Sequence, residues 1–363
     1  MKIVLVAGAR PNFMKIAPII RALKKKAASS LEYKLVHTGQ HYDFNMSETF
    51  FEDLGIPKPD YYLNAGGGSH SDQTAKIMVA FEGVCEAEKP DVVLVVGDVN
   101  STLACSIVAK KHVIKVAHVE AGLRSFDLTM PEEINRMVTD AISDYFFTTE
   151  KQANENLIKE GKPSDRIHYV GHVMIDNLLY QHARVMESDD SSFTYSDLKK
   201  KLGKYIFVTL HRPSNVDDAE KLKDIVAALN TIAEETPIVF PVHPRTGKMI
   251  EKFGVTLSPG IVQLSPLGFK DALYLWKDAL CVFTDSGGLQ EETTGLGVPC
   301  FTIRENTERP VTVEEGTNTL VGSSGIAVIR AYRELKAGAR KSGRIPELWD
   351  GKAAERIVDV LVG

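Results

Sequence analysis

Cysteine is scarce in this chain, and its placement tells as much as its number. Cys85, Cys105, Cys281 and Cys300 are the four cysteines in 363 residues, and no two lie close in sequence. That spacing excludes a disulfide framework and the paired thiols of a structural zinc site. The four read as small buried hydrophobes in a reducing compartment. Long apolar runs are missing too. No stretch approaches the roughly 20 residues of a membrane-spanning helix. The first run, Ile3–Ala7, is too short for the apolar region of a secretory signal before it meets Gly8-Ala9-Arg10-Pro11. A cytoplasmic protein with no membrane partner is expected. Basic charge is in deficit, 43 Lys and Arg against 48 Asp and Glu for a net charge of -5, so nucleic acid is excluded as a partner. A Gly-rich dinucleotide fingerprint and a lysine-bearing phosphate loop are both lacking. Redox cofactors and nucleotide hydrolysis therefore drop out, and no cofactor is expected.

What the chain does have is regular alternation. At 44% hydrophobic and 25% charged it is ordinary for a soluble globular protein, and 363 residues suit two domains. Ile3–Ala7, Lys34–His37, Val92–Val96, Val116–Val119 and Tyr145–Thr148 read as buried strands, separated by helical patterns at Met14–Lys26, Ser71–Glu88 and Thr102–Lys111. Buried strands spaced by helices predict βαβ units and a parallel sheet covered on both faces. The pattern lapses over Met186–Lys204, which reads as surface or linker. It restarts with Tyr205–Leu210, Ile238–Val242, Ile261–Leu264, Ala279–Thr284 and Val298–Ile303. The openings of the two halves echo one another, each an apolar strand running into a basic residue, a proline and an asparagine: Arg10-Pro11-Asn12 and Arg212-Pro213-Ser214-Asn215. The fold class expected is α/β, two Rossmann-like doubly wound domains facing a cleft. Residues 1–185 form the first domain and 186–350 the second, with the amphipathic helix of 351–363 packing back on the first.

The polar residues that stand out follow strands, the end of a parallel sheet where ligands bind. Arg10 follows the first strand, Asp98 the run Val92–Val96, and Glu120 the run Val116–Val119. His211, His243 and Ser286-Gly287-Gly288 follow strands of the second half. Such residues also cap helices. The segment His118-Val119-Glu120-Ala121-Gly122-Leu123-Arg124, with Pro131-Glu132-Glu133-Ile134-Asn135-Arg136 just beyond, mixes carboxylates with arginines. Carboxylates in a cleft act as general acids or bases, and arginines hold phosphate oxygens; the same segment can also be a solvated acidic loop with structural ion pairs. In Asp285-Ser286-Gly287-Gly288-Leu289-Gln290-Glu291-Glu292, two glycines let a phosphate approach the amides of a helix N-terminus. Glu292 lies within reach of ribose hydroxyls, and Arg309 is placed to face a diphosphate. His211 and His243 each have an arginine close by and lack the ligand spacing of a zinc site. Phosphate or hydroxyl contact fits them better, a structural role being nearly as good for His243.

These motifs, taken with Gly97-Asp98 and Thr307-Glu308-Arg309-Pro310, resemble in order and spacing those of the non-hydrolysing UDP-N-acetylglucosamine 2-epimerases, over nearly the whole chain. The resemblance implies the glycosyltransferase-B architecture, a homodimer, a UDP-sugar substrate, and inversion at C2 without metal or cofactor. It also implies a mechanism. C2 of an N-acetyl sugar is not acidic, so UDP is expelled from C1 as the C2 proton leaves. Bound 2-acetamidoglucal results, and UDP adds back with a proton on the opposite face. Carried over by motif, Asp98, Glu120 and Glu132 are the acid/base candidates with Arg136 beside them. Arg10, Lys15, His211, Ser286, Gly287 and Arg309 face the diphosphate, and Glu292 anchors the ribose. Which carboxylate serves which face stays open. So do an epimerase of a diacetamido uronic acid nucleotide, a hydrolysing variant, a glycosyltransferase of the same fold and a non-catalytic nucleotide-sugar module. Bacterial members of this family bind a second substrate through a Gln-His-x-Gln segment and a following arginine. Here Asp43 replaces the second glutamine in Gln40-His41-Tyr42-Asp43 and Lys76 falls at the arginine, so weak or absent activation is expected.

Overall fold

Val92–Val96 is a run of four valines and a leucine, every residue buried, and it lies near the middle of a parallel sheet as β-branched residues covered on both faces should. A computed structural model of the chain describes residues 1–26, 31–39, 48–339 and 341–363. Strands β1 (Lys2–Ala7), β2 (Glu32–His37), β3 (Tyr61–Tyr62), β4 (Val92–Val96), β5 (Lys115–Val119), β6 (Tyr145–Thr148) and β7 (Ile167–Tyr169) form a seven-stranded sheet in the order β3-β2-β1-β4-β5-β6-β7. Strands β8 (Ile206–Thr209), β9 (Ile238–Pro241), β10 (Ile261–Leu264), β11 (Val282–Thr284), β12 (Cys300–Thr302) and β13 (Asn318–Leu320) form a six-stranded sheet in the order β10-β9-β8-β11-β12-β13. The pairings are parallel in both. The fold is therefore α/β with two doubly wound Rossmann-like sheets.

Successive strand residues face opposite sides, so each strand feeds two cores. In the first sheet Ile3, Leu5, Val92, Leu94 and Val96 enter one apolar cluster with Phe13 and Ile16 of the helix Arg10–Lys25. Val4, Val6, Val93 and Val95 enter the cluster on the other face. Strand order reverses once in each sheet, between β1 and β4 and between β8 and β11. These are the switch points at which doubly wound sheets open a crevice for ligand beyond their carboxyl ends.

The chain divides into two compact units, Met1–Asn177 with Glu347–Gly363, and Leu178–Pro346. The first crossing falls inside the helix Val173–Glu187, ahead of residue 185. The stretch Met186–Lys204 is not a linker. Phe193 is buried and stacks on Tyr274 with ring centroids 4.0 Å apart, and Lys199 Nζ sits 4.0 Å over the Tyr274 ring. The serines and lysines that suggested solvent surround an aromatic anchor of the second unit. The helix Ala353–Val362 packs on the helix Arg10–Lys25 of the first unit.

Candidate functional site

In the first unit the site assembles beyond β1, β4 and β5. The Asn12 side chain accepts from the N–H groups of Gly8 (3.1 Å) and Ala9 (2.9 Å) and donates to the Val96 carbonyl (3.3 Å), locking the exit of β1 to that of β4. Arg10 is exposed at the helix start, and Lys15 lies further along the same helix. Lys15 Nζ is 2.5 Å from Glu120 Oε2, with both side chains largely buried. Glu120 sits at φ +70, a left-handed conformation that a side chain adopts at a cost on the order of 1–3 kcal/mol. Its N–H and that of Ala121 both donate to the Phe147 carbonyl, at 3.0 and 3.1 Å. Gly97, at φ +68, turns the chain from β4 into Asp98, and a Cβ there would lie 2.9 Å from Lys15 Nζ. The Gly97 hydrogen is thus what lets the Lys15–Glu120 pair close over the turn.

Asp98 Oδ2 pairs with Arg136 Nη1 at 2.6 Å. Arg136 is aimed by Glu133, which accepts from its Nε at 3.0 Å and lies 2.8 Å from its Nη2. Glu133 also accepts from the N–H groups of Ser125 and Phe126. Burial pushes the Glu133 carboxyl up, yet these donors and the Arg136 charge leave it net below the usual range. Glu132, one residue earlier, is exposed.

In the second unit His211 follows β8, and its Nδ1 lies 3.0 Å from Asp285 Oδ1, beyond β11. Fully buried Asp285 also accepts from the N–H groups of His211 and Arg212 and from Asn215 Nδ2. Burial raises its carboxyl, but the His211 contact and these donors win and hold it low. With Nδ1–H given to the carboxylate, His211 presents Nε2 outward. The His243 ring is 5.7 Å from that of His211. Its Nδ1 accepts from the Arg245 N–H as a helix cap, and burial followed by the nearby His211 charge lowers its pKa.

Ser286 precedes the helix Gly287–Leu296. A Cβ on Gly288 would meet nothing within 4 Å, whereas one on Gly287 would lie 3.6 Å from Glu308 Oε1, so the helix N-terminus is open to an anion on the Gly288 side. Arg212 Nη2 (3.0 Å) and Arg304 Nη2 (2.7 Å) flank this end through Glu308. Arg309 Nε is 2.6 Å from Glu291 Oε1, so its guanidinium is anchored by a carboxylate inside the protein. Glu292 is half-buried; burial, then the charge of Glu291, pushes its carboxyl up to about 8.

The structure gathers Lys15, Asp98, Glu120 and Arg136 about Gly97 in the first unit, with Arg10 and Glu132 exposed nearby. His211 and His243 come together in the second, where Ser286, Gly287 and Gly288 form a helix start; Glu292 lies in the second turn of that helix, and Arg309 is tied to the same turn through Glu291. Sequence reasoning missed the organising roles of Glu133, Asp285 and Arg212. A buried carboxylate one residue from an exposed one has no signature in the pair Glu132-Glu133. Gln40–Asp43 lie outside the described residues, and Lys76 pairs with Asp72 at 2.7 Å. Among the described residues no His/Cys/Asp/Glu group is placed to hold a metal ion, and no helix is long and apolar enough to cross a membrane.

The family profile described as UDP-N-acetylglucosamine 2-epimerase matches residues 22–362. The UDP-N-acetylglucosamine 2-epimerase of Methanocaldococcus jannaschii is 43% identical over 367 residues, covering 99% of each chain. The UDP-2,3-diacetamido-2,3-dideoxy-D-glucuronate 2-epimerase of Pseudomonas aeruginosa is 41% identical, covering 96% of this chain and 99% of its own. The crystal structure of the Methanocaldococcus jannaschii UDP-GlcNAc 2-epimerase in complex with UDP-GlcNAc and UDP superposes with a TM-score of 0.84 at 42% identity, over 100% of this chain and 99% of that one.

Proposed function

This chain belongs to the UDP-N-acetylglucosamine 2-epimerase family, and from that premise we propose that it interconverts UDP-N-acetylglucosamine and UDP-N-acetylmannosamine through bound 2-acetamidoglucal. The observation that carries the reading is the pair of carboxylates beyond the β1/β4 switch point. Asp98 is gripped by Arg136 and Glu120 by Lys15, each held in a defined direction.

A carboxylate removes the C2 proton while the C1–O bond breaks, and UDP leaves with the bonding electrons. The return step places a proton on the opposite face of C2 as a diphosphate oxygen attacks C1. Nothing is oxidised or reduced overall, so the chemistry needs acids, bases and anion stabilisation alone. Asp98, Glu120 and Glu132 supply the first two. His211, with Asp285 behind its Nδ1, offers Nε2 to the departing diphosphate, and the amides at Gly287 and Gly288 take the rest of its charge. Arg10 and Lys15 add positive charge, and Glu292 accepts from ribose hydroxyls. A homodimer fits the outward apolar face of the helix Pro131–Ile142. A cytoplasmic location fits the four buried cysteines, none of which is in a disulfide. Supply of a precursor for cell-surface polysaccharide fits the product.

The Pseudomonas aeruginosa relative favours a second reading, a diacetamido uronic acid UDP-sugar as substrate. Proton NMR in D2O decides between them. UDP-N-acetylglucosamine should give UDP-N-acetylmannosamine carrying deuterium at C2, at a rate a chelator leaves unchanged. Product retaining its original C2 proton overturns the elimination route, and turnover of the diacetamido uronate nucleotide alone selects the second reading.

A further inference from the structure

One buried cluster in the first unit lies behind the turns that carry both inner carboxylates. His118, in β5, and Asp140, on the helix Pro131–Ile142, are both fully buried, and His118 Nδ1 is 2.7 Å from Asp140 Oδ1. The other ring nitrogen, Nε2, is 2.9 Å from the Gly97 carbonyl oxygen. Asp140 Oδ2 accepts from the Gly122 N–H at 3.0 Å and pairs with Arg124 Nη1 at 2.8 Å. Arg124 in turn pairs with Glu160 at 2.7 Å. Both acceptors of His118 are oxygens without a hydrogen to give, so its two hydrogen bonds form together only when each nitrogen carries a proton. Burial raises the Asp140 carboxyl, but the charges of His118 and Arg124 and the Gly122 donor bring it net below the usual range.

The connectivity is the argument. Asp140 holds residue 118 through its side chain and residue 122 through its backbone, the positions two before and two after strained Glu120. Gly122 has no freedom to adjust, since at φ +79 a Cβ would lie 2.4 Å from the Ala153 carbonyl oxygen. His118 then reaches across to Gly97, the residue before Asp98, whose N–H already donates to the Val119 carbonyl at 3.0 Å. Buried ion clusters add little net stability compared with apolar packing, so stability alone does not account for this one. We propose that His118 and Asp140 are positioning residues for the epimerisation, clamping the turns that present Asp98 and Glu120 at a fixed separation. The inference rests on reading Asp98 and Glu120 as acid/base groups.

The test uses the full chain with Asp140→Asn, which preserves volume, and His118→Phe, which keeps a flat ring without donors. A misplacement of reacting groups by about 1 Å costs on the order of 10²-fold in rate. Both variants should therefore lose roughly that factor in kcat and in C2 deuterium incorporation, while KM and UDP affinity stay within about 3-fold of wild type. In protein labelled with 15N-histidine, His118 should show two slowly exchanging ring N–H signals, and in Asp140→Asn the Nδ1 proton should exchange faster, because a neutral amide oxygen is a weaker acceptor than a carboxylate. If His118→Phe does not fold, Asp140→Asn and the ring signals decide alone. Wild-type kcat in folded Asp140→Asn overturns the clamp, as does a loss of UDP affinity equal to the loss in kcat. Asp98→Asn and Glu120→Gln run alongside. If these two turn over normally, the acid/base reading itself fails and the clamp with it. If they are crippled while Asp140→Asn is not, only the clamp falls.

Discussion

Asp98 and Glu120 are held in different ways, and the difference bears on what each does. The Asp98 side chain keeps 32% of its exposure beside Arg136, whereas that of Glu120 keeps 6% beside Lys15. An open carboxylate reaches substrate directly, and an enclosed one acts only on a ligand that enters the crevice. Asp98→Asn and Glu132→Gln keep shape and remove the base, so kcat should fall by at least ~10²-fold with UDP affinity near wild type. Initial rates and calorimetric titration with UDP check this; normal turnover by Asp98→Asn removes it from the acid/base set. Glu292 behaves differently because its carboxyl titrates near 8 in the folded chain, against 4.5 ordinarily. The native state therefore holds a proton that the unfolded state has already lost across that window. The corresponding stability is fully present below pH 4.5 and lost as pH rises through about 8. Glu292→Gln cannot lose it, so its urea midpoint should gain on wild type between pH 5 and pH 9. A gap that stays constant with pH contradicts the titration. The same variant should bind UDP less tightly with kcat little changed, since a ribose contact is made in ground and transition states alike.

The helix Pro131–Ile142 is inverted relative to an ordinary surface helix. Glu133, Asn135, Thr139 and Asp140 are buried, while Ile134, Met137 and Val138 are 43%, 42% and 36% exposed. Its polar face is needed inward, where Glu133 aims Arg136 and Asp140 holds His118. The apolar face is left outward at i, i+3 and i+4, and Leu128 and Met130 are exposed just before it. A homodimer that covers this face should be broken by Ile134→Asp with Met137→Asp. Sedimentation should then show a monomer where wild type gives a dimer, and an unchanged dimer places the interface elsewhere. Periodicity in sequence marks this helix as amphipathic but cannot say which face turns inward. The strands were more legible. Val92–Val96, Tyr145–Thr148 and Ile261–Leu264 stand where the apolar runs put them. The strands left unread, Tyr61–Tyr62, Ile167–Tyr169 and Asn318–Leu320, are all sheet edges of two or three residues. Half-solvated edges need no apolar pattern, so they leave none to read. The strand-end residues Asp98, Glu120 and His211 were legible for the opposite reason, because a charge ending an apolar run is conspicuous. Their supports Glu133, Asp140 and Asp285 come from elements distant in sequence, and only the folded chain brings them together.

At the scale of the whole molecule, the second unit is an insertion in the first, since the chain leaves at Asn177 and re-enters at Glu347. The returning segment is structural. Ala353, Ala354, Ile357, Val358 and Leu361 enter the same apolar cluster as Phe13 and Ile16 beneath β1 and β4. Asp176, just before the first crossing, accepts from the N–H groups of Ala353 at 3.2 Å and Ala354 at 2.7 Å. The start of the last helix is thus capped by the residue next to the point where the chain departs. Ile357 is fully buried, and truncation there leaves a cavity in a core that both crossings depend on. Ile357→Ala should cost about 2–5 kcal/mol of unfolding free energy. Asp176→Ala should cost about 0.5–2 kcal/mol, and Asp176→Asn much less, because an amide oxygen still accepts one of the two hydrogen bonds. Urea unfolding followed by circular dichroism measures all three. UDP affinity measured below the unfolding transition should fall little, because the amides and histidines assigned to the nucleotide belong to Leu178–Pro346 and only Arg10 and Lys15 lie in the first unit. A stable Ile357→Ala protein would show that the returning helix is ornamental, and an Ile357→Ala protein that keeps its fold but loses UDP would show that the diphosphate is held chiefly by the helix bearing Arg10 and Lys15.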